Sequence, residues 1–230
     1  MTFKTFGMIG AALLLTACGA PLPKAEQPGP GPAPASAQPP AGAAVHRIDP
    51  QQSEIRLLVY KAGPMARLGH NHVIVNRAVS GWVSAPGAPA AGAFSMQIPV
   101  DAFVVDDRQA RAEEGADFAQ EVGDEARSGT RRNMLGAALL DAERFPAVTV
   151  GSISIAQAQG ALTAAVVMTI AGHESRLTIP FALERTAGGI AASGSTVLRQ
   201  SDMGLTPFSV MLGALQVQDE LTVKFRIIAR

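Results

Sequence analysis

Apolar and polar residues alternate with a period of two along most of the chain beyond residue 45. Ile55, Leu57 and Val59 share one face of a first run, with Glu54, Arg56, Leu58 and Tyr60 on the other. Successive side chains of a strand point to opposite faces, so this pattern predicts a strand with one strongly apolar face. From Val73, the residues Val75, Val79 and Val83 fall on one face. His70, His72, Ile74, Asn76 and Trp82 fall on the other, unless a bulge shifts the phase. Phe94, Met96, Ile98 and Val100 make the next strand, with Pro99 on the opposite face, where an edge or bulge tolerates it.

After Pro146 the alternation resumes over 148–155, then through Leu162, Ala164, Val166, Met168 and Ile170. A tight turn at 171–174 leads to Leu177, Ile179, Phe181 and Leu183. The stretch 190–198 is rich in Ala, Gly and Ser and leaves space rather than filling it. Leu221, Val223, Phe225 and Ile227 form the last strand. About eight strands result, joined mostly by short connections that favour antiparallel neighbours. Eight strands closing on themselves enclose room for one small or slender ligand. Strand patterns do not reveal closure, so a two-sheet sandwich is the alternative.

The middle of the chain has a different character. The polar stretch from Asp106 to Glu125 shows little periodicity and reads as a solvated loop that includes Asp107, Glu113 and Glu114. Thr130 is placed to N-cap a short helix with Met134, Leu135, Ala138 and Leu139 on one stripe, ended by Phe145-Pro146. Such a helix beside a sheet serves as a lid or plug.

Residues 1–17 read as a targeting segment: Lys4 is the only charge, and the apolar core is too short to span a bilayer. It ends in Leu15-Thr16-Ala17-Cys18, which looks like a bacterial lipobox, so Cys18 is expected to carry acyl chains. Cys18 is the only cysteine, and no disulfide competes for it. Gly19 after the cysteine resembles outer-membrane rather than inner-membrane sorting. The expected location is therefore the periplasmic side of the outer membrane, held by the N-terminal acyl anchor. Residues 18–44, rich in Pro, Ala and Gly, read as a disordered tether with an extended reach of roughly 80 Å. The folded domain is expected over 45–230.

Composition narrows the function. Nineteen Lys plus Arg balance nineteen Asp plus Glu, so no overall field draws nucleic acid. No Gly-x-Ser-x-Gly elbow, phosphate-cradling glycine loop or cysteine nucleophile is present, and the chain is not expected to be an enzyme. His173-Glu174 begins like a zinc-protease motif, but Leu177 stands where the second histidine belongs.

The candidate polar site is Arg67-Leu68-Gly69-His70-Asn71-His72. If the strand includes both histidines, they share a face with their roots about 6–7 Å apart. Arg67, His70, Asn71 and His72 are therefore candidates to meet a polar head group at a barrel mouth. Phe94, Met96, Ile98, Val166, Met168, Phe181 and Phe225 are candidates to line an apolar tunnel, with a simply packed interior as the alternative. No cofactor is expected. The competing reading is a metal or haem site built on His70 and His72 with His173 or His46, although zinc sites normally need three or four protein ligands.

The body resembles the YceI-like family of periplasmic, lipocalin-like, polyisoprenoid-binding barrels. The resemblance begins at His46-Arg47-Ile48-Asp49, followed by Ser53 and Ile55. It continues through Val100-Asp101-Ala102 to Asp106-Asp107-Arg108, and through Glu143-Arg144-Phe145-Pro146. Leu162 to Ile170 with Gly172, Asp202-Met203-Gly204 and Asp219-Glu220-Leu221 complete it in the same order. The resemblance implies an all-β, lipocalin-like antiparallel eight-stranded barrel with one or two short helices. It also implies a binding protein that sequesters or carries an isoprenoid or other long-chain apolar ligand. Two stretches depart from the family's plain members: the histidine segment at 67–72 and a long loop over 108–130.

Overall fold

The period-two runs become one curled antiparallel sheet. The computed structural model describes residues 38–39 and 42–230; the targeting segment, Cys18 and nearly all of the tether lie outside the described residues. The first half of the chain supplies β1 (His46–Arg47), β2 (Glu54–Ala62), β3 (His72–Asn76), β4 (Ser80–Ser84), β5 (Ala93–Pro99) and β6 (Val104–Val105). Two helices follow, α1 (Arg108–Glu113) and α2 (Asp124–Leu135). The second half supplies β7 (Ala147–Ala158), β8 (Ala161–Ile170), β9 (His173–Thr186), β10 (Gly189–Arg199), β11 (Ser209–Val210) and β12 (Leu215–Ala229).

The expected count of eight strands is corrected to twelve. One predicted strand is broken, by residues 77–79 between β3 and β4. Three further strands, β1, β6 and β11, span only two residues each. The order across the sheet is β1-β4-β5-β7-β8-β9-β10-β12-β2-β3-β6, with β11 paired to β12. The sheet curls until its ends approach: β1 pairs with β4, while Ile48 bridges Ala229 and Arg47 exchanges hydrogen bonds with Arg230.

The break at 77–79 shifts the phase that simple alternation assigns. Ile74 and Val83 both line the interior, and Val79 joins the same core. Val73 and Val75 turn outward instead, into a second cluster with Leu58, Ala110 and Phe118. Both faces of β3 are thus covered, the inner by the main core and the outer by α1 and its following turn. Gly81 sits just past the break with φ of 137°, and a Cβ there would lie 2.1 Å from the Ser95 carbonyl oxygen. Only glycine allows β4 to approach β5 this closely.

The main core runs from Ile48 to Ala229 and is made of the inward-facing positions of the strands. Val100 and Val166 are among its most deeply buried side chains. Each fully buried valine or leucine stabilises the fold by roughly 1.5–3 kcal/mol. The helices correct two expectations. α2 starts at Asp124, so Thr130 lies inside it rather than capping it. The polar stretch is not uniformly solvated either. Asp107 caps α1 by accepting from the Ala110 amide at 2.9 Å, and the side chains of Asp106 and Glu114 are buried. Glu114 accepts from Arg56 at 2.8 Å and from Lys224 at 2.5 Å, which ties the end of α1 to β2 and β12.

Candidate functional site

The inward faces of the strands surround a cavity of about 550 Å³, within the range of small-molecule sites, roughly 300–1,000 Å³. All seven apolar candidates line it: Phe94, Met96 and Ile98 from β5, Val166 and Met168 from β8, Phe181 from β9 and Phe225 from β12. The Ala- and Gly-rich β10 contributes Ala192, a short side chain that leaves volume open. The cavity reaches from Pro89 and Gly92 in the β4–β5 connection to His72, Phe208 and Leu215 at the other end of the sheet.

The second end is roofed by α2. Ala126, Gly129, Thr130, Asn133 and Met134 line the cavity, and their spacing of three and four residues places them on one helix face. Small residues on that face let the helix cover the opening without filling it. The sequence shows no apolar stripe over the first turns of α2, so periodicity alone placed the start of this helix too late.

The polar part of the site lies where β3 begins. His70 and His72 both line the cavity, with ring centroids 6.2 Å apart. His72 is fixed from behind: its Nδ1 lies 2.7 Å from Asp106 Oδ2. Asp106 follows β6, which pairs with β3, and takes a left-handed φ of 55° that aspartate tolerates better than most residues. Its other carboxylate oxygen accepts from the Val73 amide at 3.0 Å and from Arg111 Nη1 at 2.5 Å. Arg111, buried on α1, also donates to the carbonyls of Asn71, Phe118 and Gln120. One guanidinium therefore joins the histidine segment, α1 and the turn beyond it.

Burial pushes the Asp106 carboxyl up, but hydrogen bonds from His72 and the Val73 amide, with the Arg111 charge, hold it below the ordinary carboxylate range. An ionised carboxylate accepts only, so the hydrogen on His72 must sit on Nδ1. That leaves Nε2 as the atom offered to the interior, 3.4 Å from Thr130 Oγ1. His70 is pushed below its usual value by burial, then by its neighbours His72 and Lys61.

The other two polar candidates sit elsewhere. Arg67 is exposed on the β2–β3 connection and does not line the cavity. Asn71 is a structural tie: its Oδ1 accepts from the Lys61 amide at 3.0 Å, and its Nδ2 donates to the Asp117 carbonyl at 3.0 Å. His46 pairs with Val83 on β1, and His173 opens β9 against Gly204; neither joins the pair. Among the described residues no group of three or more His, Cys, Asp or Glu side chains is gathered as a ligand set. Sequence reasoning did not find Asp106, Arg111 or Thr130. The one signal was Asp107 placed to cap a helix carrying Arg111.

The YceI-like domain matches residues 46–229 of the chain. The crystal structure of Burkholderia cenocepacia BcnA is similar in fold, with a TM-score of 0.60 at 19% identity, covering 80% of this chain and 99% of that one. The Campylobacter jejuni YceI protein aligns at 12% identity with a TM-score of 0.48, over 66% of this chain and 81% of that one. No curated protein matches the sequence.

Proposed function

The chain belongs to the YceI-like family, and from that premise we propose that it binds an isoprenoid or other long-chain apolar molecule along its interior. The observation that carries this reading is the largely apolar cavity of about 550 Å³, with His70 and His72 among the residues that line it. A chain buried there gains about 0.8 kcal/mol for each methylene removed from water. His72, held by Asp106, and His70 beside it meet the polar head, and α2 covers it. The role is carriage or sequestration rather than catalysis. Native mass spectrometry of the protein purified without detergent tests the reading. A bound species of lipid mass is expected, and an empty protein under every growth condition counts against it.

The head-group role gives a pH trend. An acidic head favours protonated imidazole, so affinity should rise as pH falls. Burial holds His70 below the ordinary histidine value of about 6.5, so its share of the rise comes below that value. A metal would reverse the trend, since ligation needs neutral imidazole. The double variant His70→Ala/His72→Ala should bind the co-purified species more weakly and lose this slope. Unchanged binding at every pH removes both histidines from the site.

Cys18 is the second part of the proposal: acylated there, the protein is held on the periplasmic side of the outer membrane. Cys18→Ser should release it from the membrane fraction or stall its processing. A fully processed, membrane-bound Cys18→Ser protein contradicts the anchor.

A further inference from the structure

The β2–β3 connection and the turn between β11 and β12 meet at the end of the sheet where His72 enters β3. Met65 N donates to the Ala214 carbonyl at 2.8 Å, and a side chain at Gly63 would collide with the Gly213 and Ala214 carbonyls. The tips of these loops carry apolar side chains outward. Leu212 is fully exposed, Met211 and Leu68 are more than half exposed, and Phe208 and Val210 stand beside them. Met211 and Leu212 hold φ of 53° and 54°, a region that disfavours residues bearing side chains. The backbone thus accepts an unfavourable turn while its two apolar side chains remain in solvent.

Leu68 and Phe208 also belong to the cavity wall. Apolar surface therefore continues from the interior over the rim to the outside. On the two loops that form the rim the charges are of one sign. Residues 205–217 carry no charge, and residues 61–71 carry Lys61 and Arg67 but no acid. Acidic residues stand on the adjoining segment, where the Asp117 carbonyl accepts from Asn71 and where Asp124 and Glu125 open α2.

An exposed apolar cluster of this kind marks an interaction surface. Short apolar tips flanked by cations match a bilayer with anionic head groups, where side chains sink to the acyl boundary and basic residues stay at the surface. The point at which the described chain enters the sheet permits it. The described chain enters the sheet at His46, at the end remote from the rim. The tether reaches roughly 80 Å when extended, against roughly 50 Å for the fifteen residues of β12.

We propose that the rim formed by Leu68, Phe208, Val210, Met211 and Leu212 docks the body, mouth down, on an anionic lipid bilayer. An apolar ligand then passes between bilayer and cavity without crossing water. The transfer rests on the ligand reading above; the docking does not.

The test uses the chain from residue 18 with Cys18→Ser, so that no acyl group contributes, and vesicles of phosphatidylcholine with or without phosphatidylglycerol. Flotation should recover the protein with the anionic vesicles. Met211→Glu/Leu212→Glu should lower that binding about tenfold or more, since both side chains lie in solvent and their replacement leaves the core intact. Arg67→Glu should lower binding to the anionic vesicles only. A Leu212→Trp reporter should shift its emission to the blue on the vesicles. Failure to float, or equal flotation of the Met211→Glu/Leu212→Glu protein, overturns the proposal. So does a dimer in sedimentation that this variant abolishes while vesicle binding is absent, because the rim would then join two copies. An empty cavity in native mass spectrometry with flotation intact keeps the docking and removes the ligand reading.

Discussion

Replacing Asp106 with alanine is expected to destabilise the fold by about 3–5 kcal/mol, the usual cost of removing one partner from a buried charged pair. The carboxylate is fully buried and accepts from His72, the Val73 amide and Arg111. Its loss strands the Arg111 charge behind β3 and frees the His72 ring from its fixed orientation. Asp106→Asn keeps the shape but not the charge, and is expected to cost less. Both variants also differ from the native protein in their response to acid. The folded pKa of Asp106 lies below its ordinary value of 3.8, so the unfolded chain binds the proton first. The stabilisation is therefore complete above about pH 4 and is lost as pH falls through the lower folded value. Urea denaturation of the native protein should show this loss, and Asp106→Asn should lack its share. If Asp106→Ala costs less than about 1 kcal/mol, the range of an ordinary exposed ion pair, the carboxylate does not organise the site.

Filling the cavity should abolish ligand binding while the sheet survives. Ala164 on β8 is almost fully buried and Ala192 on β10 is partly buried, and both line the interior. Ala164→Phe/Ala192→Phe places two rings in space that would hold the apolar chain. Displacing five methylenes removes about 4 kcal/mol of burial, which is about a thousandfold in affinity. The rings also crowd their neighbours, at a cost to stability of about 1–3 kcal/mol each. Native mass spectrometry should find the double variant empty under conditions that load the parent, with a far-ultraviolet dichroism spectrum still dominated by strand. A double variant that retains the same bound species would place the ligand outside the cavity.

How much of this was legible in the sequence differs from element to element. The inward positions of β5, β8, β9 and β12 followed directly from alternation, because a strand with one buried face must repeat every second residue. All seven apolar candidates line the cavity for that reason. His70 and His72 both reach the cavity although β3 begins only at His72, so their rings meet without sharing a strand. Breaks and two-residue strands are set by local pairing and backbone geometry rather than by hydropathy, which is why twelve strands stand where eight were expected.

α2 was mislocated for a related reason. Its cavity face is Ala126, Gly129, Thr130 and Asn133 ahead of Met134, and small or polar residues over a hollow give no hydrophobic stripe to read. Asp124 and Glu125 in its first turn were the better marker of its start, because acidic residues favour the positive end of a helix.

By itself the sequence determined the all-β class, which side chains face inward along the regular strands, and that two histidines would stand close together in the chain where β3 begins. These are consequences of short-range periodicity. Only the tertiary structure decided that Asp106 and Arg111 hold His72 in place, that the interior is hollow, and that the apolar tips at 68 and 208–212 share one rim. Each of these depends on contacts between distant segments, from the 34 residues between His72 and Asp106 to the 181 between Ile48 and Ala229, and no pattern within a single segment encodes them. A charged stretch that reads as solvated becomes buried when its partners arrive from other strands. A hollow, likewise, belongs to how strands curl around one another rather than to any one of them.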